Sequence, residues 1–254
     1  MIKTEALRCF YGRTEALFSA TLQIEDGMLT GVLGANGSGK STLFKGICHR
    51  ISTKGACFVD NIPSSAPPRE LARVVAYVPQ RAGLGLNVSA RDAVLMGAHG
   101  RTAIFGDYSR QDKLRAEALL EVFGQIPPDK NFGLLSAGQQ QLVILARSVM
   151  QGANNLIMDE PDSALDFANR HRVFERIKAL SRDGRCVLLS LHDPNFALKY
   201  CDRLLFLDSG RIFEDICPKK EEASRLEAAF ARLYGRVELY SRGEELCLSW
   251  LGER

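Results

Sequence analysis

Three groups of residues have types and spacing suited to chemistry on a phosphate. The first is Gly34-Ala35-Asn36-Gly37-Ser38-Gly39-Lys40-Ser41, which fits the pattern G-x-x-x-x-G-K-[ST]. Its glycines let the backbone curl and aim successive N–H groups at phosphate oxygens, and a following helix adds its positive dipole end. Lys40 would neutralise β- and γ-phosphate charge and Ser41 would ligate Mg²⁺, with Gly34, Asn36, Gly37, Ser38, Gly39 and Thr42 lining the same cradle. The second group is Leu156-Ile157-Met158-Asp159-Glu160, a short apolar run ending in two carboxylates. Asp159 is placed to hold Mg²⁺ directly or through water, and Glu160 to orient and deprotonate an attacking water. Alone it would read as a solvated acidic turn; beside a phosphate loop it reads as catalytic. The third is Leu135-Ser136-Ala137-Gly138-Gln139, which opens an apolar-periodic stretch and so offers a second set of helix N-terminal N–H groups to an anion.

Such residues need strands to carry them and helices to aim them. The apolar run Met28–Leu33 predicts a buried strand before the glycine loop, and Ser41–His49 a helix after it. Further strands are expected at Ile2–Phe10, Thr21–Ile24, Gly55–Asp60, Val74–Val78, Leu156–Met158, Cys186–Leu191, Leu204–Leu207 and Ile212–Glu214. Helices are expected at Arg69–Arg73, Ser136–Gln151, Ala164–Ser181 and Asp193–Tyr200. From Val88 to Gly124 the pattern is helical, with Leu114, Ala118 and Val122 as its repeating line and Leu119 and Phe123 alongside. Strand–helix alternation on both sides of a helical block predicts an α/β fold with a parallel sheet and a helical insertion. The tail reads as a helix within Lys219–Tyr234 and a hairpin of Val237–Tyr240 and Leu246–Trp250.

Composition narrows the function classes. The chain has 254 residues, 46% hydrophobic and 25% charged, with a formal net charge of +3. That is the profile of a soluble globular protein, and too mild a charge for a dedicated nucleic-acid binder. No run approaches the ~20 apolar residues of a membrane helix. Met1–Glu5 lacks the apolar core of a secretory signal, so the expected site of action is cytoplasmic. Seven cysteines without a C-x-x-C pair read as reduced, mostly buried thiols.

The stretch Leu135–Gln139 resembles the signature of ATP-binding cassette (ABC) ATPases, L-S-G-G-Q, with Ala137 replacing one glycine, and it starts 24 residues ahead of Asp159. Other elements of that family follow in order. Gln80, after Tyr77-Val78-Pro79, resembles the Q-loop glutamine; Ser163-Ala164-Leu165-Asp166 resembles the D-loop; His192 resembles the switch histidine. Tyr11 looks like the aromatic that stacks on adenine. The resemblance implies a P-loop NTPase (RecA-like) core with an N-terminal antiparallel β subdomain and an inserted α-helical signature subdomain. It divides a single ABC domain, 1–254, into a core with its β subdomain (1–85 and 152–217), a helical subdomain (86–151) and a C-terminal helix and hairpin (218–254). It implies Mg²⁺-dependent hydrolysis of ATP, with Glu160, His192 and Gln80 catalytic and Ser41, Gln80 and Asp159 on Mg²⁺. It also implies two ATPase subunits, expected to be identical, packed head to tail. Ser136, Ala137, Gly138 and Gln139 of one would then contact the ATP of the other, with Asp166 facing across. Gln140-Gln141-Leu142 lacks the basic residues common after the signature, and Asp162, where threonine is usual, is expected to be a neutral change.

Asn87–Gly97 is similar to the stretch after the Q-loop in importers of iron–siderophores, haem, cobalamin and, in some members, molybdate. That implies a polytopic permease, docked in a groove near Gln80–Ala98 where Arg81, Arg91, Met96 and Arg101 lie. It further implies an extracytoplasmic substrate-binding protein and a peripheral position on the cytoplasmic face of the membrane, with no nucleic-acid partner. The alternative is a soluble ABC ATPase such as one serving iron–sulfur cluster assembly.

Overall fold

A computed structural model describes residues 1–80, 87–100, 108–243 and 245–252. β1 (Ile2–Tyr11) and β2 (Thr14–Ile24) form an antiparallel hairpin, and β3 (Leu29–Leu33) runs into the glycine loop and α1 (Lys40–Ile47). β4 (Ser52–Val59) and β5 (Ile62–Pro63) return to the hairpin, giving a four-stranded antiparallel sheet of order β2-β1-β4-β5. α2 (Pro68–Val74) starts on a proline, which has no N–H to leave unpaired there, and leads to β6 (Val75–Val78). The helical block comprises α3 (Ala90–Leu95), a 3₁₀ turn at Met96–Gly100, α4 (Arg110–Gly124) and α5 (Ala137–Gln151). Then come β7 (Asn155–Met158), α6 (Phe167–Arg182), β8 (Cys186–Ser190), α7 (Pro194–Tyr200), β9 (Arg203–Asp208) and β10 (Arg211–Ile216). The tail is α8 (Ala223–Tyr234) with the hairpin β11 (Arg236–Arg242) and β12 (Glu245–Gly252).

The central sheet has order β10-β9-β3-β8-β7-β6 and is parallel except for the edge strand β10. β3, β7 and β8 are buried along their whole length, as parallel strands covered on both faces must be. Alternate residues feed two cores. Val32, Ile157, Leu188 and Leu205 pack with α1 and the antiparallel sheet, while Leu33, Leu156, Leu189 and Phe206 pack toward α5, α6 and α8. This is the α/β architecture expected from the strand–helix alternation.

Three sequence expectations need correction. β2 begins at Thr14, seven residues before the predicted start, because bulges opposite β1 near Thr4, Leu7 and Cys9 break the two-residue period. On α4 the expected apolar line faces water: Leu114 is 57% exposed and Val122 46%. The face that packs on the helical core is Ala116, Leu120 and Phe123, a parallel row one-half turn away that carries the larger aromatic. α6 begins at Phe167 rather than Ala164, because Asp166 caps it by accepting the Asn169 N–H at 2.8 Å.

Five of the seven cysteines are buried and all are free. Burial pushes the Cys9, Cys48 and Cys186 thiols up to about 12, which keeps them protonated and inert. The C-terminal hairpin is fixed to α7 by a reciprocal pair: Leu248 N–H donates to Asn195 Oδ1 at 2.7 Å, and Asn195 Nδ2 donates to the Leu248 carbonyl at 3.2 Å.

Candidate active site

The strand order brings four loops together. Gly34 follows β3, His192 follows β8, Asp159 follows β7 and Gln80 follows β6, and β3-β8-β7-β6 are neighbours in the sheet. All four therefore sit at the carboxyl edge of adjacent parallel strands, where open α/β sheets bind ligands.

The glycine loop is shaped by close approach. A Cβ on Gly34 would lie 2.3 Å from the Leu207 carbonyl oxygen and 2.5 Å from Ser38 Oγ, so no larger residue fits. Behind it, Gly210 in the β9–β10 turn donates its N–H to the Ser38 carbonyl at 2.8 Å. The Ser38 hydroxyl is buried and has no hydrogen-bond partner among the described residues. Lys40 folds back over the loop and donates to the carbonyls of Gly34 at 2.7 Å and Ala35 at 3.2 Å. Burial holds its ammonium below the usual lysine range, while Glu160 and Asp159 pull the other way. Ser41 and Thr42 lie in the first turn of α1, and Asn36 and Gly37 are exposed at the loop tip. Tyr11 ends β1 with its ring 46% exposed, 5.9 Å from the Lys45 ammonium on α1.

The paired carboxylates leave β7 in different states. Asp159 is 3% exposed; its N–H donates to the Val78 carbonyl, and its Oδ1 accepts the Ser190 hydroxyl at 2.8 Å. Glu160 turns into left-handed backbone, φ +48°, which costs an L-residue of order 1–2 kcal/mol. That turn swings its carboxylate toward two partners. Gln80 Nε2 donates to Glu160 Oε2, and His192 Nε2 lies 2.5 Å from Glu160 Oε1. The three catalytic candidates, 80 and 32 residues apart from Glu160 in sequence, thus meet at one carboxylate.

The signature stands apart. Ser136 caps α5 in a reciprocal box with Gln139: the Gln139 N–H donates to Ser136 Oγ, and the Ser136 N–H donates to Gln139 Oε1, each at 3.2 Å. Ser136 and Ala137 are exposed, so the Ala137 methyl group meets no wall. A Cβ on Gly138 would lie 3.0 Å from the Ala164 carbonyl, which keeps the turn against the loop before α6. Among the described residues no hydrogen bond joins Ser136–Gln139 to Gly34–Thr42. Leu134, beside the signature, is 77% exposed and Phe167, beside Asp166, is 74% exposed.

Sequence reasoning missed two features. Asp162 is not a bystander: its Oδ2 accepts Arg170 Nε at 2.9 Å and Nη2 at 2.8 Å, and Arg170 reaches Asp193, the neighbour of His192, at 3.6 Å. Burial pushes the Asp162 carboxyl up, with Arg170 drawing it down. The other is Ser190, whose only sequence signal is a lone hydroxyl closing the apolar run Cys186–Leu191. Of the residues expected to face a docking partner, Arg91 pairs with Glu117 at 3.0 Å and Asp129 at 2.9 Å on the partly exposed surface of the helical block, and Met96 is half-buried. Arg81 and Arg101 lie outside the described residues.

A model of the family described as ABC transporter matches residues 17–163. The chain belongs to that family. It is an ABC-type ATPase. This ABC cassette is 33% identical over 243 residues to the hemin import ATP-binding protein HmuV of Pseudomonas putida, covering 92% of each chain. It is 31% identical over 254 residues to the phosphonates import ATP-binding protein PhnC of Escherichia coli, covering 94% of this chain and 97% of that one. The ATP-binding cassette MJ0796, in a dimeric post-hydrolysis state bound to ADP and Pi, matches with a TM-score of 0.76 at 25% identity, over 86% of this chain and 99% of that one. An inward-facing metal-chelate type ABC transporter matches in fold, with a TM-score of 0.78 over 98% of this chain and 95% of that one at 22% identity.

Proposed function

We propose that this ABC cassette is the ATP-hydrolysing subunit of a membrane importer whose cargo is a metal chelate such as hemin, or a related oxyanion. The observation that carries the reading is the relationship to a hemin import ATP-binding protein across 92% of both chains. The phosphonates import relative, 31% identical over 94% of this chain, supports an import subunit but not the metal-chelate cargo.

The residues of this chain would work as follows. Gly34, Asn36, Gly37, Ser38, Gly39, Lys40, Ser41 and Thr42 hold the triphosphate, and Tyr11 packs on the adenine. Ser38 Oγ supports this, since a buried hydroxyl without a partner is costly unless a ligand oxygen satisfies it. Ser41, Gln80 and Asp159 form a hard-oxygen set that suits Mg²⁺. Mg²⁺, when bound, would supply charge neutralisation at the β- and γ-oxygens. Glu160 accepts the proton of the attacking water, and His192 and Gln80 hold its carboxylate in place until the γ-phosphate arrives.

A second, identical subunit completes the site. The exposed Ser136–Gln139 turn offers N–H groups to the γ-phosphate of its neighbour, and uncovered Leu134 and Phe167 supply apolar surface beside the signature and Asp166. A permease would dock in the groove near Gln80–Ala98; Pro79, just before it, lines a cavity of about 900 Å³ together with Tyr77, Arg147 and Gln151. No helix among the described residues is long and apolar enough to cross a membrane. By its relationship to import ATP-binding proteins the subunit would sit peripherally on the cytoplasmic face and meet the substrate-binding protein only through the permease.

The test is co-purification of the tagged chain from native membranes in mild detergent. A stoichiometric polytopic protein, with hemin or phosphonate uptake lost on deletion, supports the importer. Recovery of soluble scaffold proteins alone overturns it in favour of a cytosolic ATPase.

A further inference from the structure

We infer that Ser190 is a positioning residue for hydrolysis: one buried hydroxyl that fixes both Asp159 and Glu160. The inference rests on the roles proposed above for those two carboxylates.

Ser190 is fully buried at the end of β8, in register with Val32 of β3. Its Oγ does two things at once. It donates to Asp159 Oδ1 and accepts the Glu160 N–H, each at 2.8 Å. The last ladder pair between β7 and β8 is Met158 with Leu189, so the main chain of β8 offers Glu160 no ladder partner. The hydroxyl takes over where the ladder stops. It matters there because Glu160 has left the strand for φ +48°, a conformation that persists only when its surroundings hold it.

The two bonds are coupled by their geometry. With its proton committed to Asp159, Ser190 Oγ keeps its lone pairs for the Glu160 N–H. That would leave the second oxygen of Asp159 for a metal, and Glu160 is held with its carboxylate between Gln80 and His192. Hydrogen-bond partners behind ligating carboxylates of this kind fix ligand orientation.

The experiment compares Ser190→Thr with Ser190→Val, two side chains of one shape that differ in the hydroxyl, beside Glu160→Gln as control. Read-outs are kcat, KM for ATP, thermal midpoint and affinity for Mn²⁺ in the presence of nucleotide by electron paramagnetic resonance. The valine variant should lose about 10- to 100-fold in kcat with KM for ATP little changed, and should bind Mn²⁺ more weakly. The threonine variant should keep activity within about threefold and bind Mn²⁺ as the parent does. Equal activity in the two variants, or equal loss, overturns the assignment of the hydroxyl. So does a loss confined to KM. If Glu160→Gln itself turns over ATP freely, the underlying reading of Glu160 fails, whatever Ser190 does.

Discussion

The glycine loop and the signature turn use one local device, a helix N-terminus after a tight loop, yet they end in opposite conditions. At α1 the loop is backed by the β9–β10 turn, Lys40 is buried, and Asp159, Glu160, Gln80 and His192 crowd the neighbouring strand ends. At α5 the cap is satisfied only by its own Gln139, Ser136 and Ala137 face outward, and Leu134 is left bare. The first is nearly complete within one chain. The second is an exposed turn with no nucleotide-site residue beside it among the described residues, which is why the proposed function gives it to a neighbouring subunit. The contrast teaches that two similar helix starts differ in what the rest of the chain builds around them.

The largest effect should come from the first site. Glu160→Gln removes the base but keeps the shape, so steady-state ATP turnover should fall about 10²- to 10⁴-fold, while ATP-bound dimer accumulates in gel filtration. Turnover near the parental rate would break the assignment. Next is the signature turn. Ser136→Asp keeps an equally good helix cap but sets a negative charge where a neighbour's γ-phosphate should sit. Turnover should drop about 10²-fold, with the thermal midpoint and the ATP affinity of the isolated chain unchanged. A parallel loss of ATP affinity by the monomer would erase the distinction between the two.

Between the two lies Asp162. Asp162→Asn removes the buried ion-pair partner of Arg170, leaving Arg170 with Asp193 at 3.6 Å, and should cost about 1–3 kcal/mol of stability, a few degrees in thermal midpoint by calorimetry. An unchanged midpoint would return Asp162 to the neutral role its position in the sequence suggested. The smallest change is Ala137→Gly. The methyl group is exposed in the single chain and the Gly138 turn and its N–H groups remain beside it, so restoring the glycine should alter turnover by no more than about threefold.

Much of the site was legible in the residues because its parts are local. Gly34–Ser41 needs only a strand, a curl and a helix start, all contiguous. Ser136 and Gln139 close their cap across three residues. What was hidden depended on period or on distance. The first half of β2 was unreadable because bulges disturb its alternation. The face of α4 was misread because two apolar rows compete on that helix, and only packing against α5 chooses Ala116, Leu120 and Phe123. Arg170 carries no signal of its own in the helix pattern, and only the turn that precedes α6 brings it to Asp162 and Asp193.

The sequence by itself determined the phosphate-binding loop, the carboxylate pair, the signature and the α/β class, since each is written in contiguous residue types or in a repeating period. The tertiary structure alone decided that Gln80, Glu160 and His192 share one carboxylate, and that Ser190 stands behind both acids. The reason is the order of the strands. β3, β8, β7 and β6 lie side by side in an order the chain does not follow, and only the sheet, by burying both faces, brings their ends together.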